Sequence, residues 1–273
     1  MSETQFKQGV QQTFDTVANT YDRPALRFFP SSADYMVKLC DPQSGEQVLD
    51  IATGTGLIAM TAAQHIRPHG RVQAIDLSQG MLDTAQKNIQ QHGVDNIDLH
   101  QMDAENLAFP DNQFDLLLCG FGVFFLPDPY NSVRKWSQVL KPGATIMLST
   151  FNSTAFMPMA QWFKECYEQI GQAYPSGAWQ QFSDEAACLD LLDDQFFENK
   201  TITRKQHGMY LKDESEWWEV IYNTSFRGAL DALNPDQQTA LRETHLAQLA
   251  RLKNQDGIWL DIEVIYTQAT VKK

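Results

Sequence analysis

The sequence is poor in several things that would point to particular functions. It has four cysteines in 273 residues (Cys40, Cys119, Cys166 and Cys188), and no two stand at Cys-x-x-Cys spacing. A zinc site and a disulfide framework are therefore not expected, and the default is reduced thiols in a cytoplasmic protein. Basic charge is scarce: 21 Lys and Arg face 34 Asp and Glu, a formal charge of −13. Counterion release from nucleic acid and attraction to anionic lipid both need clustered cations, so neither is an expected partner. Long apolar runs are missing. The most apolar stretch, Phe114 to Pro127, is too short for a spanning helix and carries Asp115 and two glycines. The first residues, MSETQFKQGVQQTF, lack the basic-then-apolar order of a signal peptide. No Asp, Glu, His and Cys spacing suggests a metal cluster, and there is no internal repeat, low-complexity segment or charge block. These absences predict a soluble protein without a metal site or integral membrane association.

What is present is a core. Hydrophobic residues make up 43% of the chain, close to the roughly 45–50% of globular domains, so a disordered chain is excluded. The length suits one α/β domain with a sizeable insertion, or two small domains.

Phe6, Val10, Phe14, Val17 and Tyr21 recur at helical spacing over residues 4–21. Pro24 and Pro30 break the chain, and Ser31 or Ser32 is expected to cap a second helix running to about Leu39. From Glu46 strands and helices alternate. Strands are predicted at 48–51, 71–77, 97–102, 114–119 and 144–151, and helices after Gly56, over 81–92 and over 130–140. Five alternations at short intervals predict a doubly wound, mostly parallel sheet. After Asn152 the rhythm stops. Residues 153–258 read as mainly helical (158–171, 184–193, 213–223, 236–253), with one strand-like run at 201–210. At the end Leu260, Ile262, Val264 and Tyr266 alternate with polar residues, which predicts a half-covered terminal strand.

Four features gather at the carboxyl ends of successive strands, where open α/β sheets bind ligands. Asp50-Ile51-Ala52-Thr53-Gly54-Thr55-Gly56 places glycines between a strand end and a helix start, so a ligand can approach the backbone and the helix amino end can face an anion. A tight structural turn is the alternative. Asp76, at the end of the second strand, suits a ribose diol; capping the next helix is its other reading, unless Ser78 takes that part. Gln101-Met102-Asp103-Ala104 offers an acid, a small residue and an apolar neighbour to the edge and face of an adenine. Cys119-Gly120-Phe121-Gly122 lets the chain pass close to a ligand.

The runs LDIATGTG, AIDLSQGML, MDAENLAFPDNQFD and LKPGA resemble the class I S-adenosylmethionine-dependent methyltransferases. The likeness is to the branch holding the ubiquinone and menaquinone biosynthesis C-methyltransferases (methyltransferase type 11-like), and it covers about residues 10–152. It implies a Rossmann-like seven-stranded sheet with an antiparallel terminal strand. It also implies S-adenosylmethionine as cofactor, with S-adenosylhomocysteine as product. Residue by residue, it implies Asp50 near the methionine amino group, Gly54 and Gly56 along the methionine moiety and a backbone carbonyl from Ala52. Asp76 would take the ribose, Leu77 the adenine face, Asp103 and Ala104 the adenine edge, and Gly120 the methionine chain. Met81 and Met102 complete the cofactor set, and Tyr21 matches the tyrosine that closes over the cofactor. Ala52-Thr53 departs from the Gly-Cys or Gly-Gly frequent in the class, though Ala-Thr occurs in the quinone branch.

The expected organisation is a cofactor domain, 1–152 with 259–273, whose helices over 1–40 lie near the site, and a helical insertion, 153–258, as substrate lid. The insertion is rich in aromatics, among them Phe156, Trp162, Phe163, Tyr167, Tyr174, Trp179, Phe182, Trp217, Trp218, Tyr222 and Phe226. They suit the wall of an apolar acceptor site or, equally, the core of a helical subdomain. His207 and His245 are the candidates for a general base, with ordinary packing as the alternative. The expected activity is methyl transfer to a small apolar or aromatic acceptor. The alternatives are a cofactor-binding protein that transfers nothing and an NAD(P)-dependent oxidoreductase. An acid at position 50 suits an ammonium group and repels a pyrophosphate, which argues against the last. Monomer and homodimer remain open.

Overall fold

The computed structural model describes residues 2–175 and 178–272. Helix α1 (Glu3–Val17) opens with a capping box in which Ser2 and Gln5 satisfy each other's free backbone N–H groups. Helix α2 (Phe28–Cys40) follows. Its start corrects the expectation of a serine cap: the helix begins ahead of Pro30, with Arg27 at the cap position. Proline is tolerated there because N–H groups of a first turn have no intrahelical acceptor.

The α/β succession then runs β1 (Gln47–Ile51), α3 (Leu57–His65), β2 (Arg71–Asp76), α4 (Gln79–Gln91), β3 (Ile97–Gln101), β4 (Phe114–Gly120), α5 (Pro129–Val139) and β5 (Leu140–Phe151). Helices α6 (Met159–Gln169) and α7 (Glu185–Asp190), strands β6 (Phe197–Gln206) and β7 (Met209–Leu211), and helices α8 (Glu214–Tyr222), α9 (Arg227–Asp231) and α10 (Pro235–Leu249) come next. Strands β8 (Ile258–Leu260) and β9 (Glu263–Val271) end the chain. Seven strands form one sheet in the order β3-β2-β1-β4-β5-β9-β6, and β7 pairs with β8 in a separate ribbon. Strands β1 to β5 are parallel to one another, and β9 is antiparallel to both β5 and β6. This is the doubly wound, Rossmann-like sheet with an antiparallel terminal strand that the sequence implies.

Two details differ. The run read as one strand at 201–210 is two strands, because the chain turns at His207-Gly208 and β7 leaves the main sheet to pair with β8. Strand β6 thus joins the sheet from within the largely helical stretch 153–258. The terminal strand is covered on both faces rather than half covered: Ile265, Thr267 and Ala269 are as buried as Val264 and Tyr266. It lies between two strands with α7 against it, so its alternating pattern does not mark a solvent side.

The centre of the sheet is covered on both faces as well. Val48, Leu49 and Ile51 of β1, and Leu116, Leu117 and Leu118 of β4, are all buried, as a parallel strand flanked by helices requires. The order places the reversal between β1 and β4, where the chain leaves the sheet in opposite directions and a crevice opens above the strand ends.

Candidate active site

A cavity lies over that crevice. Its lining encloses about 1090 Å³ of non-atom space, the open mouth included. The floor is the loop after β1, the left wall the ends of β2 and β3, the right wall the segment after β4, and the roof α1 with Tyr21 and Phe29. Of the residues singled out in the sequence, Tyr21, Ala52, Gly54, Asp76, Leu77, Met81, Met102, Asp103, Ala104 and Gly120 line it together.

Asp50 and Gly56 stand behind the wall. Asp50 is fully buried, and its Oδ2 accepts from the Thr53 hydroxyl at 2.6 Å, which ties the loop to the strand. Its Oδ1 has no hydrogen-bond partner. Burial pushes its pKa up to about 7 against the Thr53 hydrogen bond, with Asp76 adding to the rise. Gly56 starts α3 at φ +88°, and a Cβ there would stand 3.3 Å from Ala85 Cβ, so its role is to let α3 and α4 approach.

Asp76 is fixed by backbone donors. Gly54 N–H donates to Oδ2 at 2.8 Å and Ser78 N–H to Oδ1 at 2.9 Å. Burial raises its pKa to about 6, and those N–H bonds oppose the rise. Ser78, not Asp76, caps α4, accepting from Met81 N–H at 3.1 Å. The alternative reading of Asp76 as a cap is thus removed, and its carboxylate is left to face the cavity. The β4 segment passes close because it must: a Cβ at Gly122 would lie 2.6 Å from Ala52 Cβ and 3.0 Å from Cys119 Sγ, and one at Gly120 would strike Ile58. Ala52 and Phe121, both without the freedom of glycine, hold φ near +55° on either side of this contact. Such backbone persists only where its surroundings enforce it.

The sequence placed Tyr21 and the N-terminal helices near the site but did not single out the other roof residues. Lys7, Val10 and Phe14 lie on one face of α1, three and four residues apart, and all face the cavity. A lone cation on that apolar stripe was the available signal. Three side chains of the N-terminal segment hold three ligand loops. Lys7 reaches Asp103 at 2.8 Å and also pairs with Glu105 and, at 3.0 Å, Glu3. Asp15 accepts from Ser78 Oγ at 2.5 Å and from Gly80 N–H at 2.9 Å, at the positive end of α4. Asp22 accepts from Thr55 Oγ1 at 2.7 Å and Asn88 Nδ2 at 2.9 Å. Burial alone would raise the Asp103 pKa, but Lys7, Glu105 N–H and Asn106 hold it below the usual carboxylate range.

A second, aromatic chamber adjoins the first. Phe14, Tyr21, Phe29, Phe121 and Phe125 border both, and Phe124, Phe151, Phe156, Trp179, Phe226, Thr224 and Ser225 complete it. The aromatics of 153–258 therefore divide. Phe156, Trp179 and Phe226 reach the chamber, whereas Phe163, Tyr167, Phe182 and Trp217 fill the core. Neither histidine candidate lines either space. His207 bridges Ser31 Oγ and Tyr266 Oη, each at 2.8 Å, and Nε2 of His245 accepts from Trp217 Nε1 at 2.7 Å. Burial lowers both pKa values to about 4, so both are neutral packing groups at neutral pH. Among the described residues no cluster of three or more His, Cys, Asp or Glu could hold a metal, and no helix is long and apolar enough to cross a membrane.

The sheet order, the loop after β1 and the row of strand-end carboxylates make a Rossmann-like fold with a ligand site at its switch point. A family match shows its class to be that of the S-adenosylmethionine-dependent methyltransferases. The ubiE/COQ5 methyltransferase family matches residues 1–177, and the chain belongs to that family. It is 35% identical over 150 residues to aklanonic acid methyltransferase DauC of Streptomyces sp. (strain C5), covering 55% of this chain and 68% of that one. It is 31% identical over 150 residues to demethylmenaquinone methyltransferase of Listeria welshimeri serovar 6b, covering 54% and 63%. The matched part thus spans about two thirds of the length of these relatives. Among solved structures, a SAM-dependent methyltransferase from Thermotoga maritima superposes with a TM-score of 0.58 at 16% identity, covering 96% of this chain and 99% of that one.

The donor set fits the family's cofactor. A fully buried carboxylate with an orphaned oxygen suits an ammonium group, and bare glycine backbone makes room for a thin methionine chain. Further carboxylates along one wall suit hydroxyls and an exocyclic amine.

Proposed function

We propose that this protein moves a methyl group from S-adenosylmethionine to a small aromatic acceptor held in the chamber beside the cofactor cavity. The observation that carries this reading is the row Asp50, Asp76 and Asp103 at three adjacent strand ends. The first has an orphaned oxygen, the second is fixed by two N–H groups, and the third stands under the roof. In this reading Asp50 faces the methionine ammonium behind the loop, Asp76 takes the ribose hydroxyls, and Leu77 and Met81 flank the adenosine. Met102, Asp103 and Ala104 meet the adenine, while Ala52, Gly54 and Gly120 border the methionine chain. Gly56 supports the loop from behind, and Tyr21 closes the roof between cofactor and acceptor. The cofactor supplies an activated methyl group on a positively charged sulfur. The chain aligns an acceptor atom behind that methyl and keeps water away with aromatic surface.

The names of the relatives support an aromatic, ring-bearing acceptor class, and the apolar chamber is of matching chemistry. A cytoplasmic location is the reading that four dispersed cysteines without a disulfide framework support. Isothermal titration with S-adenosylmethionine, S-adenosylhomocysteine and NADH tests the reading, followed by product analysis on phenols, quinols and amines. Saturable heat with the first two, and methylated product from a ring acceptor, is the expected result. Heat with NADH alone overturns it.

A further inference from the structure

The aromatic chamber is short of acid–base groups. Among its described lining residues Tyr21 is the one titratable side chain. Burial, with Asp22 and Asp76 nearby, raises the Tyr21 pKa, so its phenol keeps its proton. The Thr224 hydroxyl is engaged with Val220 O at 2.8 Å. The nearby cations are already spoken for. Lys7 holds Asp103, Glu105 and Glu3; Arg23 holds Glu219 at 2.7 Å; and Arg227 holds Asp231 at 2.6 Å while covering the Tyr222 ring. The charged side chains lining the adjoining cofactor cavity are Asp76, Asp103 and Lys7, the last paired with Asp103, with Asp22 near Tyr21 and Asp50 behind the loop.

We propose that the acceptor is a flat aromatic acid, such as a phenol or enol of low pKa, that enters already ionised, with the cofactor's sulfonium as its counter-charge in place of any side chain. This rests on the methyltransferase reading above. No side chain then removes a proton during transfer. A lone pair of the ionised oxygen forms the new bond to the methyl carbon, the carbon–sulfur pair returns to sulfur, and an anion and a cation become two neutral molecules.

Physical chemistry favours such a reaction in this chamber. A lone anion among Phe151, Phe156, Trp179 and Phe226 has lost its water and gains no cationic partner from the lining, so it binds poorly to the empty protein. Beside a positive sulfur, in a low dielectric, the same anion is strongly held. Because charge disappears along the reaction, apolar walls favour the less charged transition state over the separated ions. After transfer neither product is charged, so the attraction that assembled the complex is gone and release follows.

The test reads binding as well as turnover. Affinity for 2-hydroxy-1,4-naphthoquinone, an anion at neutral pH, is measured on protein loaded with sinefungin, whose amine supplies a positive charge near the sulfur position. It is then measured on protein loaded with S-adenosylhomocysteine, where that charge is missing. The proposal expects binding at least about tenfold tighter with sinefungin, and no such difference for the neutral 2-methoxy analogue. Equal affinity for the anion in both forms, or no saturable binding in either, overturns it. In single turnovers with a series of naphthols of graded acidity, the midpoint of the pH–rate curve is expected to move with each naphthol's own pKa. A midpoint shared by the whole series would reveal a protein base and overturn the proposal. If neither adenosyl compound binds, the methyltransferase reading itself fails, and the two failures are told apart at that first step.

Discussion

The two halves of the proposed site are built to recognise ligands by different physics. In the cofactor half, β1, β2 and β4 each end in a group with a defined direction: an orphaned oxygen at Asp50, a carboxylate held by two N–H groups at Asp76, and backbone too close for any Cβ at Gly120 and Gly122. The half contributed by 153–258 presents faces: Phe156, Trp179 and Phe226, with the hydroxyls of Thr224 and Ser225. Directional groups specify one ligand, whereas apolar faces specify a shape and exclude water. The difference explains how a cofactor site and an acceptor site can share Phe14, Tyr21, Phe29, Phe121 and Phe125 and still be set independently.

The comparison can be broken most forcefully at Gly122. A valine there meets the Cβ of Ala52, which cannot swing away because its backbone is already in the left-handed region. Gly122→Val is expected to cost about 2 kcal/mol of stability and to abolish cofactor binding by calorimetry. Retained binding would show that the two segments do not need to touch. Asp76→Ala removes an ionised acceptor with the fold intact. At about 1.5–3 kcal/mol per charged hydrogen bond, cofactor affinity falls by roughly tenfold or more, and unchanged affinity would refute the ribose role.

The acceptor half is sharpened by Trp179→Ala. With an aromatic wall gone, kcat/KM for an aromatic acceptor is expected to fall by about tenfold, while the cofactor Kd measured by titration stays put. A parallel loss of cofactor affinity would mean that the halves are not separable.

A further check concerns pH. Asp50 and Asp76 have folded-state pKa values raised to about 7 and about 6, above an ordinary 3.8. Their stabilising contribution to the empty protein is therefore complete below pH 3.8 and is lost as pH rises through 6 to 7. In the proposed reading the cofactor is held by both carboxylates in their ionised form, so its affinity moves the other way, tightening as pH rises from about 5 to 8. Titrations across that range, alongside thermal melts of the empty protein, check both signs.

Legibility followed the same divide. Asp76, Met102, Asp103, Ala104 and Gly120 could be placed on one rim from strand ends alone, because a parallel strand delivers its last residue to a known edge. Lys7, Asp15 and Asp22 could not, since nothing in the period of α1 says which surface the helix will cover. His207 and His245 drew notice by residue type, yet they bond to Tyr266 and Trp217 across long stretches of chain that local pattern does not connect. The Phe156–Trp179–Phe226 grouping was open between wall and core for the same reason. Burial in a helical layer depends on which helices meet.

The amino-acid sequence by itself determined the doubly wound sheet, the glycine loop after β1 and the carboxylates at its rim. These follow from local periodicity and from chain ends whose position topology dictates. Only the tertiary structure decided which face of α1 roofs the cavity and that β6 completes the sheet from within the helical stretch. It alone also decided that three distant aromatics share a chamber with the cofactor cavity. Contacts between segments far apart in the chain are selected by packing, and packing leaves no period in the sequence to read.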